Sequence, residues 1–235
     1  MKKFILYISI PLMLAMLACT DYSGEIESAY DEFKETAGNE VKNPCGDAFW
    51  CFEQGSASIN GGVSWYSYSD ASDGGESKFT WQDGSSEANF ESLIKAYSTI
   101  AGSYQLGPKI KRGNDYILPY LAIGFEFDNV LDATPWGGLC VSYKSTTPLR
   151  FMVAFVGEEN HNYDRPRYIL PETFSASTLN LPWSEFSLGG WSKNPVDINQ
   201  ALTIAQKIEF QFARPDSEEN ASFELFSVGP LGTCK

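Results

Sequence analysis

The residues best suited to ligand chemistry are aromatic and lie in one stretch, GGVSWYSYSDASDGGESKFTW. Flat rings cover the apolar C–H faces of a pyranose, while nearby polar groups bond its hydroxyls. Strand alternation sends Trp65 to one face and both Tyr66 and Tyr68 to the other. We expect one face to be core and the tyrosines to lie on the non-core face; packing in the core or at a sheet edge is the alternative for any ring. Trp183 and Trp191 are interpreted mainly as packing residues.

Polar partners for such a face come from three other strand-like segments. Glu126, Arg150 and Gln211 each stand among alternating apolar residues and point away from them. Trp136, in the loop before the strand-like segment 139–144, adds an indole ring. If the strands share one sheet, these side chains converge around the tyrosines. The predicted carbohydrate-binding set is therefore Tyr66, Tyr68, Glu126, Trp136, Arg150 and Gln211.

An acidic, glycine-rich segment follows the tyrosines. Residues 70–75, DASDGG, have the composition of a tight turn, with glycines for positive φ and aspartates that bond the backbone. Asp70, Asp73 and Glu76 also have the density of carboxylates that calcium favours. A calcium site needs six to eight oxygens, normally from several segments. A solvated turn and a structural calcium site are both open at this point.

No set of residues with the spacing of a catalytic site is present. Glycoside hydrolysis needs two carboxylates flanking the bond, whereas the adjacent pairs at 158–159 and 218–219 lie in polar segments typical of solvated loops. His161 is the only histidine, and no Gly-x-Ser-x-Gly elbow accompanies it. We predict no catalytic residues, and a hydrolase is the least favoured function.

The N-terminus has the pattern of an export signal. Lys2 and Lys3 precede an apolar run, residues 4–17, that is too short to cross a bilayer as a stable helix. The following Cys19 resembles the lipidated cysteine of a bacterial lipobox, so we predict a signal peptide over 1–18, with an uncleaved helix anchor as the alternative. Residues 19–44 are acidic and are predicted to be a tether, or else one short amphipathic turn.

Charge and cysteine content restrict the partners and the compartment. The formal charge is −13, and removal of two lysines with the signal would make it −15, so nucleic acid is not an expected partner. Beyond Cys19 four cysteines remain, which suggests two disulfides in an exported chain. Three pairings are possible; we favour Cys45 with Cys51, closing a small loop, and Cys140 with Cys234, tying a central strand to the C-terminus.

Seven segments have the composition and alternation of strands, and helix is scarce. The predicted strands cover 63–68, 77–81, 122–128, 139–144, 150–156, 207–213 and 222–228. Short helices are predicted over 90–98 and 199–206. Strands separated by turn residues favour an all-β sandwich, and we predict one domain over 45–235.

Seven motifs in order carry a family resemblance: CGDAFWC, GGVSWYSYSDASDGGESKFTW, AIGFEFD, ATPWGGLCVSYKS, LPWSEFSLGGW, KIEFQFA and FELFSVGPLG. The chain resembles family-eleven carbohydrate-binding modules and related galactose-binding-like jelly rolls, and more closely the repeated extracellular domains of Fibrobacter-type cellulose-degrading bacteria. The resemblance implies a jelly-roll β-sandwich, a structural calcium ion to which Glu53 would contribute, and a concave face that holds a glucan chain.

Together these features predict a non-catalytic lipoprotein at the outer membrane or cell surface. Its lipidated Cys19 would contact the membrane, and its sheet would bind a β-glucan or hemicellulose. The alternative is a structural or protein-interaction lipoprotein that keeps the jelly roll without binding sugar.

Overall fold

Alternation of apolar and polar residues produces most of the strands. The computed structural model describes residues 45–53, 56–59, 63–81, 104–110, 119–213 and 219–234, all within a unit spanning 43–235. Their thirteen strands are β1 (Trp50–Glu53), β2 (Ser56–Ile59), β3 (Val63–Ser69), β4 (Lys78–Trp81), β5 (Tyr104–Ile110), β6 (Tyr120–Leu131), β7 (Gly138–Ser145), β8 (Leu149–Phe155), β9 (Arg167–Leu170), β10 (Thr173–Pro182), β11 (Ala205–Ala213), β12 (Glu219–Asn220) and β13 (Phe223–Pro230).

These strands form two antiparallel sheets. One has the order β10-β7-β13-β1-β2, with β5 joined to β13 and both β4 and β12 joined to β5. The other has the order β3-β6-β11-β8-β9. From β5 to β8 each successive strand crosses to the opposite sheet, so several neighbours within a sheet, such as β7 and β13 or β6 and β11, are distant in sequence. This is the connectivity of a jelly roll, and the predicted all-β jelly-roll sandwich is confirmed.

The core lies between the inner faces of the two sheets. Trp65 is 6% exposed and meets Trp50 of the other sheet edge to face, at 5.6 Å between ring centroids. Phe151 and Phe210, on neighbouring strands, stack at 4.8 Å. The predicted burial of Trp65 opposite its two neighbouring tyrosines is therefore confirmed.

Helix is limited to short segments in the described part of the chain. The α-helix Ile198–Leu202 begins at Asp197, whose carboxylate accepts the backbone N–H of Gln200 at 3.1 Å. It ends earlier than the predicted range 199–206, because β11 starts at Ala205 to pair with β6 and β8. The other predicted helix, 90–98, lies outside the described residues. None of the described helices is both long and apolar enough for a membrane span.

Four 3-10 helices in the described part of the chain are single turns between strands. They are Asp70–Asp73, Thr134–Trp136, Glu158–His161 and Trp183–Glu185.

Both predicted disulfides are confirmed. Cys45 pairs with Cys51 at a Cα–Cα distance of 5.3 Å, and Cys140 pairs with Cys234 at 5.8 Å. The first closes a loop of six residues, whereas the second joins β7 to the segment after β13 across a separation of 94 residues.

The two disulfides should differ in their contribution to stability. Loop-closure entropy in the unfolded chain predicts a loss of about 5 kcal/mol when Cys140 and Cys234 are both replaced by serine, and about 2 kcal/mol for Cys45 and Cys51. The free energy of unfolding in urea, measured for both double variants, checks this order. An equal loss in the two variants would contradict the loop-closure explanation.

Candidate functional site

The outward face of the five-stranded sheet brings several predicted residues together. Strand register places Tyr66, Gly124 and Glu209 side by side in one row across β3, β6 and β11. A Cβ at Gly124 would overlap the carbonyl oxygen of Ile208 in β11. Only glycine fits there, and its missing side chain lets the Tyr66 hydroxyl reach Glu209 across the intervening strand.

Glu209 is the centre of a buried hydrogen-bond network on this face. Its carboxylate is 1% exposed and accepts the hydroxyls of Tyr66 at 2.5 Å and Tyr68 at 2.8 Å, together with Nη1 of Arg165. Arg165 also donates from Nε and Nη2 to both oxygens of Glu158, at 2.6 and 2.5 Å. The network therefore joins two strands of the sheet to the loop that carries Arg165.

Burial and charge shift the ionisation of this network. Burial, and then the neighbouring carboxylate of Glu209, raise the pKa of both Tyr66 and Tyr68 well above the ordinary tyrosine value. Burial alone lowers the pKa of Arg165, but the charges of Glu209 and Glu158 outweigh it and raise that pKa. Both tyrosines are therefore neutral hydrogen-bond donors and Arg165 is a permanent cation.

Two loops beside the sheet are joined by the carboxylate of Asp164. This side chain is fully buried and accepts the backbone N–H groups of Gly189 at 2.5 Å, Gly190 at 2.9 Å and Ser192 at 3.3 Å. Backbone donors from one loop are thus satisfied by an acid from the other. The segment 158–165 is consequently held against the segment 187–194.

Two aromatic side chains project from these joined loops. Tyr163 has a backbone φ of +54°, which is uncommon for a bulky residue, and it is 57% exposed. Trp191 is 45% exposed and donates from Nε1 to the carbonyl of Asn162 at 2.9 Å. Gly189 lies so close to the indole that a Cβ there would overlap it. Local packing therefore holds the Trp191 ring in place, and both rings are accessible to solvent.

The sheet face and the two loops enclose a cleft of about 310 Å³. The guanidinium of Arg150 donates to the amide oxygen of Gln211 at 2.8 Å and lies 5.9 Å from the Trp191 ring. The cleft therefore combines aromatic surface with amide and guanidinium groups. Its lining residues are Tyr68, Tyr120, Arg150, Met152, Asn162, Tyr163, Arg165, Trp191 and Gln211.

Three predicted site residues line this cleft, and two others share the sheet face outside it. Tyr68, Arg150 and Gln211 are in the lining. Tyr66 lies beside it, with its hydroxyl bound to Glu209 and the Lys207 ammonium 4.7 Å from its ring centroid. Glu126 lies farther along β6, 3.5 Å from Lys207.

Trp136 does not join the cleft, which corrects its predicted placement. It lies in the 3-10 helix after β6 and packs against Phe49 at 4.8 Å and Phe127 at 5.8 Å. Trp183 lies nearby, 6.5 Å from Trp136, and is partly buried against the core as predicted. Trp136 is therefore a packing residue at one end of the sandwich.

The aromatic residues of the loops were not predicted as site residues. Trp191 was interpreted as packing, but its exposure and its place in the cleft show this to be wrong. Tyr163 and Arg165 lie in a charged loop that the sequence indicates only as polar. His161 in that loop is hydrogen-bonded through Nδ1 to the carbonyl of Asn194 at 2.7 Å, which agrees with a loop role.

The acidic turn after β3 is organised around a buried carboxylate. Asp70 is 1% exposed and accepts the N–H and hydroxyl of Ser77 at 3.0 and 2.7 Å and the N–H of Tyr120 at 3.1 Å. Asp73 accepts the Tyr120 hydroxyl at 2.7 Å, and burial and this acid raise the Tyr120 pKa to about 12. Gly75 is required because a Cβ there would overlap the Asp70 carboxylate. The turn thus connects β3 to the start of β6.

Calcium binding at this turn stays a prediction. Asp73 and Glu76 are exposed, while Glu53 lies in β1 with its side chain outside the described part of the structure. Among the described residues, no three acidic, histidine or cysteine side chains are grouped as a metal site.

The fold and site define an all-β sandwich with a cleft on the outer face of one sheet. The chain is similar to a family 11 carbohydrate-binding module from Clostridium thermocellum in complex with a β-1,3-1,4-mixed-linked tetrasaccharide, with 14% identity, 77% of this chain and 96% of that chain covered, and a TM-score of 0.45. A family 11 module from a cellulosomal cellulase of Clostridium thermocellum gives 16% identity, 72% and 88% coverage and a TM-score of 0.44.

A third similar structure is a family 29 carbohydrate-binding module, with 8% identity, 77% and 85% coverage and a TM-score of 0.37. No protein-family model and no curated protein matches the chain. These similarities concern the fold. The resemblance to Fibrobacter-type domains stays a prediction.

Loss of the Glu209 charge should destabilise the protein strongly. Glu209→Gln leaves the buried Arg165 without its charged partner on the sheet, and we expect a loss of about 3 kcal/mol in the free energy of unfolding. The control is Glu126→Gln on the same face, because its carboxylate is 42% exposed and lies 3.5 Å from Lys207. That variant should change stability by less than about 1 kcal/mol. Urea unfolding measures both, and similar losses in the two variants would contradict the assigned role.

Proposed function

We propose that this protein binds a carbohydrate in the cleft and does not transform it chemically. The observation that supports this most directly is the accessible pair of rings, Tyr163 and Trp191, held beside Tyr68 with polar groups between them. Rings offer flat apolar surface to the C–H faces of a sugar, while Arg150 and Gln211 supply donors and acceptors for its oxygens.

The cleft is suited to modest affinity. Its volume of about 310 Å³ is at the lower end of the range for ligand sites. The loops that carry both exposed rings are already joined through Asp164, so binding requires little ordering of the chain. The main favourable contributions would be stacking on the rings and a few hydrogen bonds, and β-glucans and hemicelluloses are the ligand classes that we propose to test first.

The residues around the cleft favour binding over hydrolysis. A glycoside hydrolase places two carboxyl groups on either side of the bond that it cleaves. The nine described residues that line this cleft include no aspartate and no glutamate. Glu209 and Glu158 lie behind the cleft surface, where both are bound by Arg165.

The proposed function also includes a location outside the cytosol. Two disulfides indicate an oxidising compartment outside the cytosol. We propose that a signal peptide over 1–18 is removed and that Cys19 is lipidated, so that the domain is displayed at the outer membrane or cell surface, where extracellular polysaccharide is accessible.

Lipidation at Cys19 can be tested directly. Cells expressing the full chain with radiolabelled palmitate should incorporate label into the protein, and Cys19→Ser should abolish that incorporation. The matched control is a double variant of Cys45 and Cys51, which removes two other cysteines and should keep the label. Equal labelling of the wild-type protein and Cys19→Ser would refute the lipidation proposal.

Removal of one exposed ring should weaken sugar binding without unfolding the protein. We expect Trp191→Ala to lower affinity at least about tenfold, equivalent to about 1.4 kcal/mol, because its stacking surface is lost. The control is Phe174→Ala, since Phe174 is 76% exposed on β10 of the other sheet and should leave affinity unchanged. Calorimetry and affinity electrophoresis would use mixed-linkage β-glucan, cellulose oligomers, and neutral and acidic hemicelluloses.

Two results would contradict this proposal. Absence of binding to every glycan in the set would leave the jelly roll as a structural or interaction domain. Equal weakening by Trp191→Ala and Phe174→Ala would show that binding occurs elsewhere on the protein.

A further inference from the structure

The described lining of the cleft contains cationic side chains and no anionic ones. Arg150 and Arg165 both reach the surface of the cleft, and no aspartate or glutamate does. This is unusual for a chain with 30 acidic and only 17 basic residues. The charged side chains that line the cleft are therefore positive, whereas the protein as a whole is acidic.

Arg150 brings hydrogen-bond donors to the cleft in excess of those that its neighbour uses. The amide oxygen of Gln211 accepts one bond from Arg150, and the backbone carbonyl of Asn162 accepts one from Trp191. A guanidinium carries five N–H donors and no acceptor. After its bond to Gln211, Arg150 therefore retains donors for a ligand, so an acceptor-rich ligand group matches this surface best.

Arg150 and Arg167 differ from Arg165 in having no carboxylate partner in the described part of the structure. Both lie against the Trp191 ring, with guanidinium carbons 5.9 and 4.6 Å from its centroid. In the described structure Nη1 of Arg167 is buried and makes no hydrogen bond. Burial, and then the charge of Arg167, lower the pKa of Arg150. Two partly desolvated cations thus lie near each other; in the described structure no carboxylate contacts either one, although the charge of Asp164 partly offsets the effect of burial on the pKa of Arg167.

The nearest acids do not neutralise this pair by contact. Glu158 and Glu209 are bound by Arg165, and Asp164 is bound by backbone N–H groups. Screening weakens interactions between exposed charges that are more than about 8 Å apart at physiological ionic strength, so the more distant acidic surface contributes less inside the cleft.

We infer that the cleft selects glycans that carry carboxylate groups, that is uronic-acid-containing polysaccharides, over neutral glycans of the same backbone. The inference rests on the proposed function and specifies its ligand class. A carboxylate accepts two parallel bonds from a guanidinium, and such charge-assisted bonds are about twice as strong as those of neutral hydroxyls. The rings of Trp191 and Tyr163 would contact the sugar while Arg150 binds its carboxylate.

The test compares ligands that differ only in the carboxyl group. Oligogalacturonate and a glucuronic-acid-substituted xylo-oligosaccharide are each titrated into the full folded domain beside their carboxyl-reduced forms. Each titration is run with and without a chelator, which separates calcium bridging between carboxylates from any effect of the predicted structural calcium. We expect the acidic form of at least one pair to bind about tenfold tighter or more.

A pair of variants assigns the preference to Arg150. Arg150→Met keeps much of the aliphatic stem and removes the charge, so it should reduce the ratio of affinities for acidic and reduced ligand toward one. Arg150→Lys keeps the charge without the planar fork and should retain part of that ratio. Unfolding curves and binding of the reduced ligand show whether each variant is folded. If Arg150→Met kept the full preference for the acidic over the reduced ligand, the role of Arg150 would be overturned.

The wild-type comparison also separates this inference from the proposed function. If acidic and reduced forms bind equally, or the reduced form binds tighter, the uronate preference is overturned and carbohydrate binding stands. If no glycan binds, charged or neutral, both are overturned.

Discussion

The ion pair between Glu209 and Arg165 connects the sheet to the loop that completes the cleft. Glu209 is 1% exposed, and the Arg165 side chain is only 11% exposed. A buried charge without a partner is costly, so the loop cannot leave the sheet unless Glu209 also loses its cation. Two tyrosine hydroxyls complete the bonding of the carboxylate, which makes Tyr66 and Tyr68 part of the same unit. The position of the loop is therefore determined by the chemistry of the sheet face.

Two other buried carboxylates have the same role at different points of the fold. Asp164 and Asp70 are 0% and 1% exposed and accept mainly backbone N–H groups, the first from another loop and the second from its own turn and from β6. Each satisfies donors that would otherwise be buried without partners. An acidic chain thus uses these three acids, Glu209 included, as internal connectors, and all three lie outside the cleft lining.

The alternation of apolar and polar residues predicted which side chains lie on the outward sheet face, but it did not predict the loop residues of the cleft. Period-two patterns placed Tyr68, Arg150 and Gln211 on one outward face, because strand geometry fixes the direction of every second side chain. Trp191 and Tyr163 have no such periodicity. Their exposure depends on bonds such as Asp164 to Gly189, which join segments 25 residues apart. Trp136 has a polar-looking Thr-Pro-Trp-Gly-Gly context, yet contacts with Phe49 and Phe127 determine its burial.

The stretch that contains Tyr66, Tyr68 and the acidic turn consequently has a mainly structural role, whereas its composition suggests a ligand-binding one. Tyr66 and Tyr68 donate their hydroxyls to Glu209, so these groups belong to the scaffold, and only the Tyr68 side chain also reaches the cleft. The solvent-accessible rings of the cleft come instead from loops that the scaffold holds in place. Because Glu209 and Glu158 are both bound to Arg165, the unpaired charge near the cleft belongs to Arg150 and Arg167. In the proposed function, stacking on the rings alone would not distinguish one pyranose from another, so discrimination between ligands would depend on these guanidinium groups.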